Sequence, residues 1–201
     1  MGVVYGAFQG RLPELTTAAL DSAKDAVSLC ITMTGVMSLW VGLMEIAQKS
    51  GMIRQAARKL QPFINFMFPG IPKGHKAREY ITTNVIANIF GLGWAATPAG
   101  LKAMEALEEL EEERRKGGAA YAGGRSIHPP VPKGTASNEM CTFLIINISS
   151  LQLIPVNIIA YRSQYGSVNP AAIVGPAIAA TAVSTLVAVV FCKVMDGKRR
   201  A

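Results

Sequence analysis

The sequence predicts an all-α, polytopic helical membrane protein with a re-entrant helical hairpin and one broken transmembrane helix. Three observations carry this. The first is charge spacing: Asp25 and Glu45 enclose 19 uncharged residues, Glu79 and Lys102 enclose 22, Glu139 and Arg162 enclose 22, and Arg162 and Lys193 enclose 30. Each approaches or exceeds the roughly 20 residues a helix needs to cross about 30 Å of hydrocarbon. The second is composition: half of the 201 residues are hydrophobic and only 16% are charged, unlike an ordinary soluble domain. The third is that two of the four stretches are interrupted by polar residues, Gly and Pro. Outer-membrane barrels are excluded, because their alternating segments of about 10 residues are absent.

Taken in order, Val3 to Phe8 is apolar but too short to span. Pro13 and Glu14 mark a helix start, since Pro suits a first turn and an acid suits the positive end of the dipole. Ala26 to Ala47 is the first spanning helix, with Glu45 as its only charge. Gly51 to Phe68 places Met52, Ile53, Ala56, Ala57, Leu60, Ile64 and Met67 on one face and Arg54, Gln55, Arg58, Lys59 and Asn65 on the other. It either lies in the membrane interface or packs along other helices of the chain, with Pro62 kinking it.

Tyr80 to Leu101 is long enough to span, but Gly91, Gly93, Thr97, Pro98 and Gly100 crowd its middle. Irregular backbone at membrane depth needs cover from protein or a water-filled cavity. The segment is therefore a broken span or a re-entrant hairpin with its tip near Gly91 to Thr97. Basic residues favour the hairpin, which puts 17 of the 20 Lys and Arg on one side and leaves only Arg11, Lys24 and Arg162 opposite. A complete span would divide them 12 against 8. The positive-inside rule then makes the 49–137 region and the C-terminus cytoplasmic.

Lys102 to Lys116 reads as a solvated charged helix supported by Glu111/Arg115 and Glu112/Lys116 pairs at i,i+4, not as a metal site. Gly117 to Ser137 reads as a Gly- and Pro-rich loop, in which His128 has no ligand role. Met140 to Tyr161 is the broken helix, carrying Asn147, Ser149, Ser150, Gln152, Pro155 and Asn157. Ala171 to Cys192 is a clean span whose Gly175, Ala179, Ala180, Ala182 and Ser184 would let another helix approach.

Transporters build midplane sites from discontinuous helices, whose freed backbone groups hold a polar solute or ion. The candidate lining is Asn84, Asn88, Gly91, Gly93, Thr97 and Pro98 from the hairpin, with Asn147, Ser149, Ser150, Gln152, Pro155 and Asn157 from the broken helix. The alternative is that these groups are polar glue between helices. Nothing indicates an enzyme: a phosphate-binding G-x-x-x-x-G-K-[ST] loop is missing, and His75 and His128 lie in loops without a nucleophile elbow. Cys30, Cys141 and Cys192 sit in apolar runs without metal-ligand spacing and read as small hydrophobes. No metal or cofactor is expected, and the surplus of basic residues marks a membrane side, not nucleic acid.

The run Val41-Gly-Leu-Met-Glu-Ile-Ala47, the basic amphipathic helix, Asn84-x3-Asn88-Ile-Phe-Gly-Leu-Gly-Trp-Ala-Ala-Thr-Pro98 and Lys102-Ala-Met-Glu105 resemble the spore maturation protein A family. So do Thr142-Phe143, the helix with Asn147 and Pro155, and Ile173-Val-Gly-Pro176, so the resemblance covers nearly the whole chain. It implies a bacterial inner-membrane protein with a Gate, or nucleoside recognition, domain, in a family implicated in spore core dehydration. It divides the single membrane domain 1–201 into a Gate-like region 26–101, a cytoplasmic helix and loop 102–137, and a broken helix, final span and basic tail 138–201. Nucleoside transporters carry polar and acidic groups where Trp94, Ala95 and Ala96 stand here. Their core holds two hairpins and two broken helices; this chain supplies one of each. The implied partner is thus a spore maturation protein B-like Gate-domain protein or a second copy, besides membrane lipids and a polar solute or ion. The family's longer first apolar helix has no counterpart before Val3, which implies a missing first span or a misplaced start. The rival expectation is a non-transporting scaffold in which the hairpin and polar helix mediate assembly.

Overall fold

A computed structural model of the chain describes residues 2–117, 130–149 and 151–200. Among them every regular element is helical: α1 (Gly2–Phe8), α2 (Leu12–Lys49), α3 (Met52–Met67), α4 (Lys76–Ile89), α5 (Gly93–Arg115), α6 (Asn138–Ser149), α7 (Val156–Gln164) and α8 (Val174–Arg200), the last preceded by a 3-10 turn at Pro170–Ile173. The chain divides into two compact units, 1–46 with 156–170, and 47–155 with 171–201. Ser150 and His128 lie outside the described residues.

In the first unit, α2 starts where Pro13 and Glu14 predict, and both sit in its first turn. Pro is tolerated there because that N–H has no intrahelical acceptor. Gln164 Nε2 of α7 donates to Ser28 Oγ of α2 at 3.1 Å. Leu12–Ala47 and Pro170–Asp196, 36 and 27 residues, are long and apolar enough to cross a membrane, and almost none of either is buried. Core helices of a globule are covered; these two present apolar surface for something else to cover.

The second unit is built on the hairpin of α4 and α5. Ile81 and Ala77 of α4 pack with Ala103, Leu107 and Leu110 of α5, with Ile64 and Met67 of α3 on one flank and Met140, Phe143 and Ile146 of α6 on another. The apolar face of α3 is therefore settled along its C-terminal half: Leu60, Phe63, Ile64 and Met67 pack within the chain, while Arg54, Arg58 and Lys59 stay exposed. Buried Arg78 closes the end of α3 by donating to the carbonyls of Phe68 (3.0 Å), Ile71 (2.9 Å) and Pro72 (3.1 Å), and to Asn65. A cation there suits the negative end of the helix dipole and holds the turn after α3 through the Phe68, Ile71 and Pro72 carbonyls. Burial lowers its pKa.

One expectation needs correction. The charged helix is not solvated all round, since Ala103, Ala106, Leu107, Leu110 and Glu111 are buried. Its Glu112–Lys116 pair forms at 2.9 Å, but Arg115 pairs with Glu108 and Glu111 with Arg114. The small residues of α8, Gly175, Ala179, Ala180, Ala182 and Ser184, are all exposed. The face of α8 turned to the core carries Ala188 and Cys192, with Thr181 and Thr185 partly covered.

Candidate functional site

The site begins at the hairpin turn. The N–H of Leu92 reaches Ala87 O at 2.8 Å and that of Gly91 reaches Asn88 O at 2.9 Å. With φ of 73° at Gly91, this pair of bonds is a Schellman stop, which needs a left-handed residue that glycine adopts without strain. Gly91 therefore ends α4, and it lines neither cavity described below.

One turn inside α4, Asn84 is buried and donates through Nδ2 to Ala96 O on α5 at 2.8 Å. A carbonyl only accepts, so this bond fixes which way the amide points. Asn84 Oδ1 then accepts from Asn88 Nδ2 at 3.2 Å, and the other Asn88 hydrogen goes to Asn147 Oδ1 of α6 at 2.7 Å. A directed chain of three amides thus ties both arms of the hairpin to α6. Gly100 makes room for it, because a Cβ there would stand 3.0 Å from Asn84 Nδ2.

Two cavities flank the chain. One, of about 320 Å³, is lined by Leu60, Phe63, Val85, Asn88, Ile89, Ile146, Asn147, Leu151 and Thr185. The other, of about 260 Å³, is lined by Asn84, Asn88, Gly93, Ala96, Thr97, Gly100, Leu101, Met104, Phe143, Leu144 and Asn147. Asn88 and Asn147 border both, and no charged side chain borders either.

The remaining sequence candidates separate. Gly93 and Thr97 line the smaller cavity, with the Thr97 hydroxyl bonded to Gly93 O at 3.1 Å. Pro98 is exposed inside α5. Ser149 contacts Thr185 Oγ1 at 3.3 Å, and the backbone N–H of Gln152 lies 3.4 Å from Thr181 Oγ1, so this segment is fastened to α8. The break itself falls between Ser149 and Val156, and Leu153 N–H bonds to Ile89 O at the hairpin turn at 2.8 Å. Pro155 is buried in this stretch, whereas Asn157 is exposed and belongs to the other unit.

At the far end of α5 lies a cluster that the sequence reading did not find. Arg114 donates to Gly70 O (2.8 Å), Glu139 Oε1 (2.9 Å) and Glu111 Oε2 (3.0 Å), and the three side chains are 5% exposed or less. Val131 N–H also bonds to Glu111 Oε1 at 2.6 Å. Burial alone would lower the Arg114 pKa, but the hydrogen bonds and charges of Glu139 and Glu111 outweigh it and raise it. Gly70 is a close-approach position, since a Cβ there would collide with Glu139 Oε1. The missed signal was the stripe Ala103, Ala106, Leu107, Leu110, which continues at i+4 to Glu111 and Arg114.

The chain is 37% identical over 200 residues to Spore maturation protein A of Bacillus subtilis (strain 168), an alignment covering 100% of this chain and 92% of that protein. No family model matches the sequence, and no solved structure matches it.

Proposed function

The chain belongs to the spore maturation protein A family, and from that premise we propose that it acts in sporulation as a multi-pass inner-membrane Gate-domain protein moving a small polar solute or ion. The carrying observation is the directed amide chain Asn84–Asn88–Asn147 between two cavities. Neutral amides hold polar solutes at a depth where an unpaired ion is too costly. The hairpin enters and leaves the membrane on one side. Its uncharged arms, Tyr80 to Ile89 and Gly93 to Leu101, are only about 15 Å and 14 Å long at 1.5 Å per residue, half the hydrocarbon thickness. The C-terminus is cytoplasmic. A partner, either a spore maturation protein B-like Gate-domain protein or a second copy, supplies the other half of a transporter-like core and the cover that α2 and α8 lack.

A second reading has its own support. The same amides join α4 to α6, and the Ser149 to Thr185 contact joins α6 to α8, which suits a scaffold whose polar groups serve packing. Asn88→Leu and Asn147→Leu separate the two. In sporulating cells the solute reading expects spores with a wetter, less dense core while the affinity-purified complex keeps its composition. Dissociation of the complex by the same substitutions would move the conclusion to the scaffold.

A further inference from the structure

Because Ala96 O orients Asn84, the whole chain has a polarity, and its two ends are unspent. Both Asn88 amide hydrogens are used, so its Oδ1 is an acceptor with no partner among the described residues; Asn147 accepts through Oδ1 and leaves its Nδ2 as a donor with none. Neither atom is among those fully occluded without a partner. One acceptor and one donor are thus left without a protein partner on the two residues that border both cavities. Apart from Thr185, the rest of the larger cavity is the apolar wall of Leu60, Phe63, Val85, Ile89, Ile146 and Leu151.

We propose that the larger cavity binds an uncharged primary amide carrying an apolar body. This rests on the solute reading above and names its ligand class. A primary amide presents an N–H and a C=O side by side, which match Asn88 Oδ1 and Asn147 Nδ2. Its body takes up the apolar wall. An anion or cation meets no counter-charge in that lining and keeps its water. A hydrocarbon of the same shape leaves both amide groups unanswered in a low-dielectric site.

The test is equilibrium dialysis of the purified full-length chain in mild detergent, alone and with any copurifying partner, against benzamide, N,N-dimethylbenzamide and benzoate. Saturable benzamide binding is expected, weakened at least about tenfold for each of the other two. On the protein side, Asn147→Asp, which removes the donor, abolishes the preference, and Ser184→Ala, at an exposed position of α8 that lines neither cavity, retains it. Equal binding of benzamide and its dimethyl form overturns the proposal, as does absence of benzamide binding; neither result depends on a variant that folds. If benzamide fails while Asn88→Leu spores are still defective with an intact complex, the ligand class falls and the solute site stands. Normal Asn88→Leu spores remove the site itself.

Discussion

Arg114→Met tests whether the cluster at the end of α5 is a buried ionic clamp. One guanidinium there joins α5 to the segment after α3 and to α6 through Gly70 O, Glu111 and Glu139, with side chains at 4%, 2% and 5% exposure. Met keeps much of the length and removes the charge, so two buried carboxylates lose their cation. Breaking a buried pair by deleting one partner costs about 3–5 kcal/mol, against about 5–15 kcal/mol for a whole domain. Glu111 keeps its bond from Val131 N–H; Glu139 keeps none, because its Oε2 has no partner. Adding Glu139→Gln to Arg114→Met should therefore recover part of the loss, about 1–2 kcal/mol. Arg114→Lys should fall between, since an ammonium cannot reproduce the planar fork. The assay is equilibrium unfolding in detergent followed by helical circular dichroism. A loss under about 1 kcal/mol for Arg114→Met, or no recovery in the double variant, would refute the clamp and place the cluster in water.

His75 caps α4 by accepting from Ala77 N–H at 3.2 Å, and burial lowers its pKa from the ordinary 6.5. Its contribution is present above pH 6.5 and lost as pH falls through the depressed value; His75→Asn keeps the cap and should remove that share of acid sensitivity in a pH series of melts. Gly100→Val should cost about 1–3 kcal/mol by pushing on Asn84, whereas Gly93→Ala, with open space around the added Cβ, should cost nothing in the same melts. Lys76→Cys and Lys102→Cys, both at exposed positions in a background with Cys30, Cys141 and Cys192 replaced by Ala, should react with an impermeant maleimide from the same side of the membrane; labelling from opposite sides would make the segment a complete span.

How much of this was legible follows from the kind of interaction involved. The apolar stretches of α2 and α8 and the start of α2 are visible because charge gaps and a Pro-Glu start are local properties of the chain, whereas the continuation of α8 through Lys193 to Arg200 is not. Asn84, Asn88 and Asn147 stand out because amides are rare in apolar stretches, but their order of donation is not readable: Asn88 and Asn147 are 59 positions apart, and the direction depends on a carbonyl at Ala96. Gly91 and Gly100 both look like helix breakers. One ends α4 through its positive φ; the other sits inside α5 and serves close approach. The clamp was hidden for the opposite reason. The acids of α5 are so dense that its buried stripe is hard to see beneath them, and Glu139, the residue that completes the cluster, lies 25 positions from Arg114.

The two polar clusters occupy opposite ends of one helix, and their chemistry differs with position. From Ala96 beside the amide chain to Arg114 in the clamp is 18 residues, about 27 Å of helix. Hydrogen-bonded amides tolerate a low-dielectric surround at modest cost, whereas ionised groups need paired partners and proximity to water. An arm that dips into a membrane from one side needs this sorting, neutral groups at the tip and ions at the base; a helix bathed in water along its whole length has no such need. The asymmetry has a direct consequence. Asn84→Asp, nearly isosteric, puts an unpaired charge at the tip and also removes the donor to Ala96 O. Glu139→Gln, equally conservative in shape, only takes a charge away from the base. In the same unfolding assay, with the protein held in a bilayer-like nanodisc, Asn84→Asp should be the more damaging change. Equal losses would mean that both ends share one dielectric environment, which a re-entrant arm cannot provide.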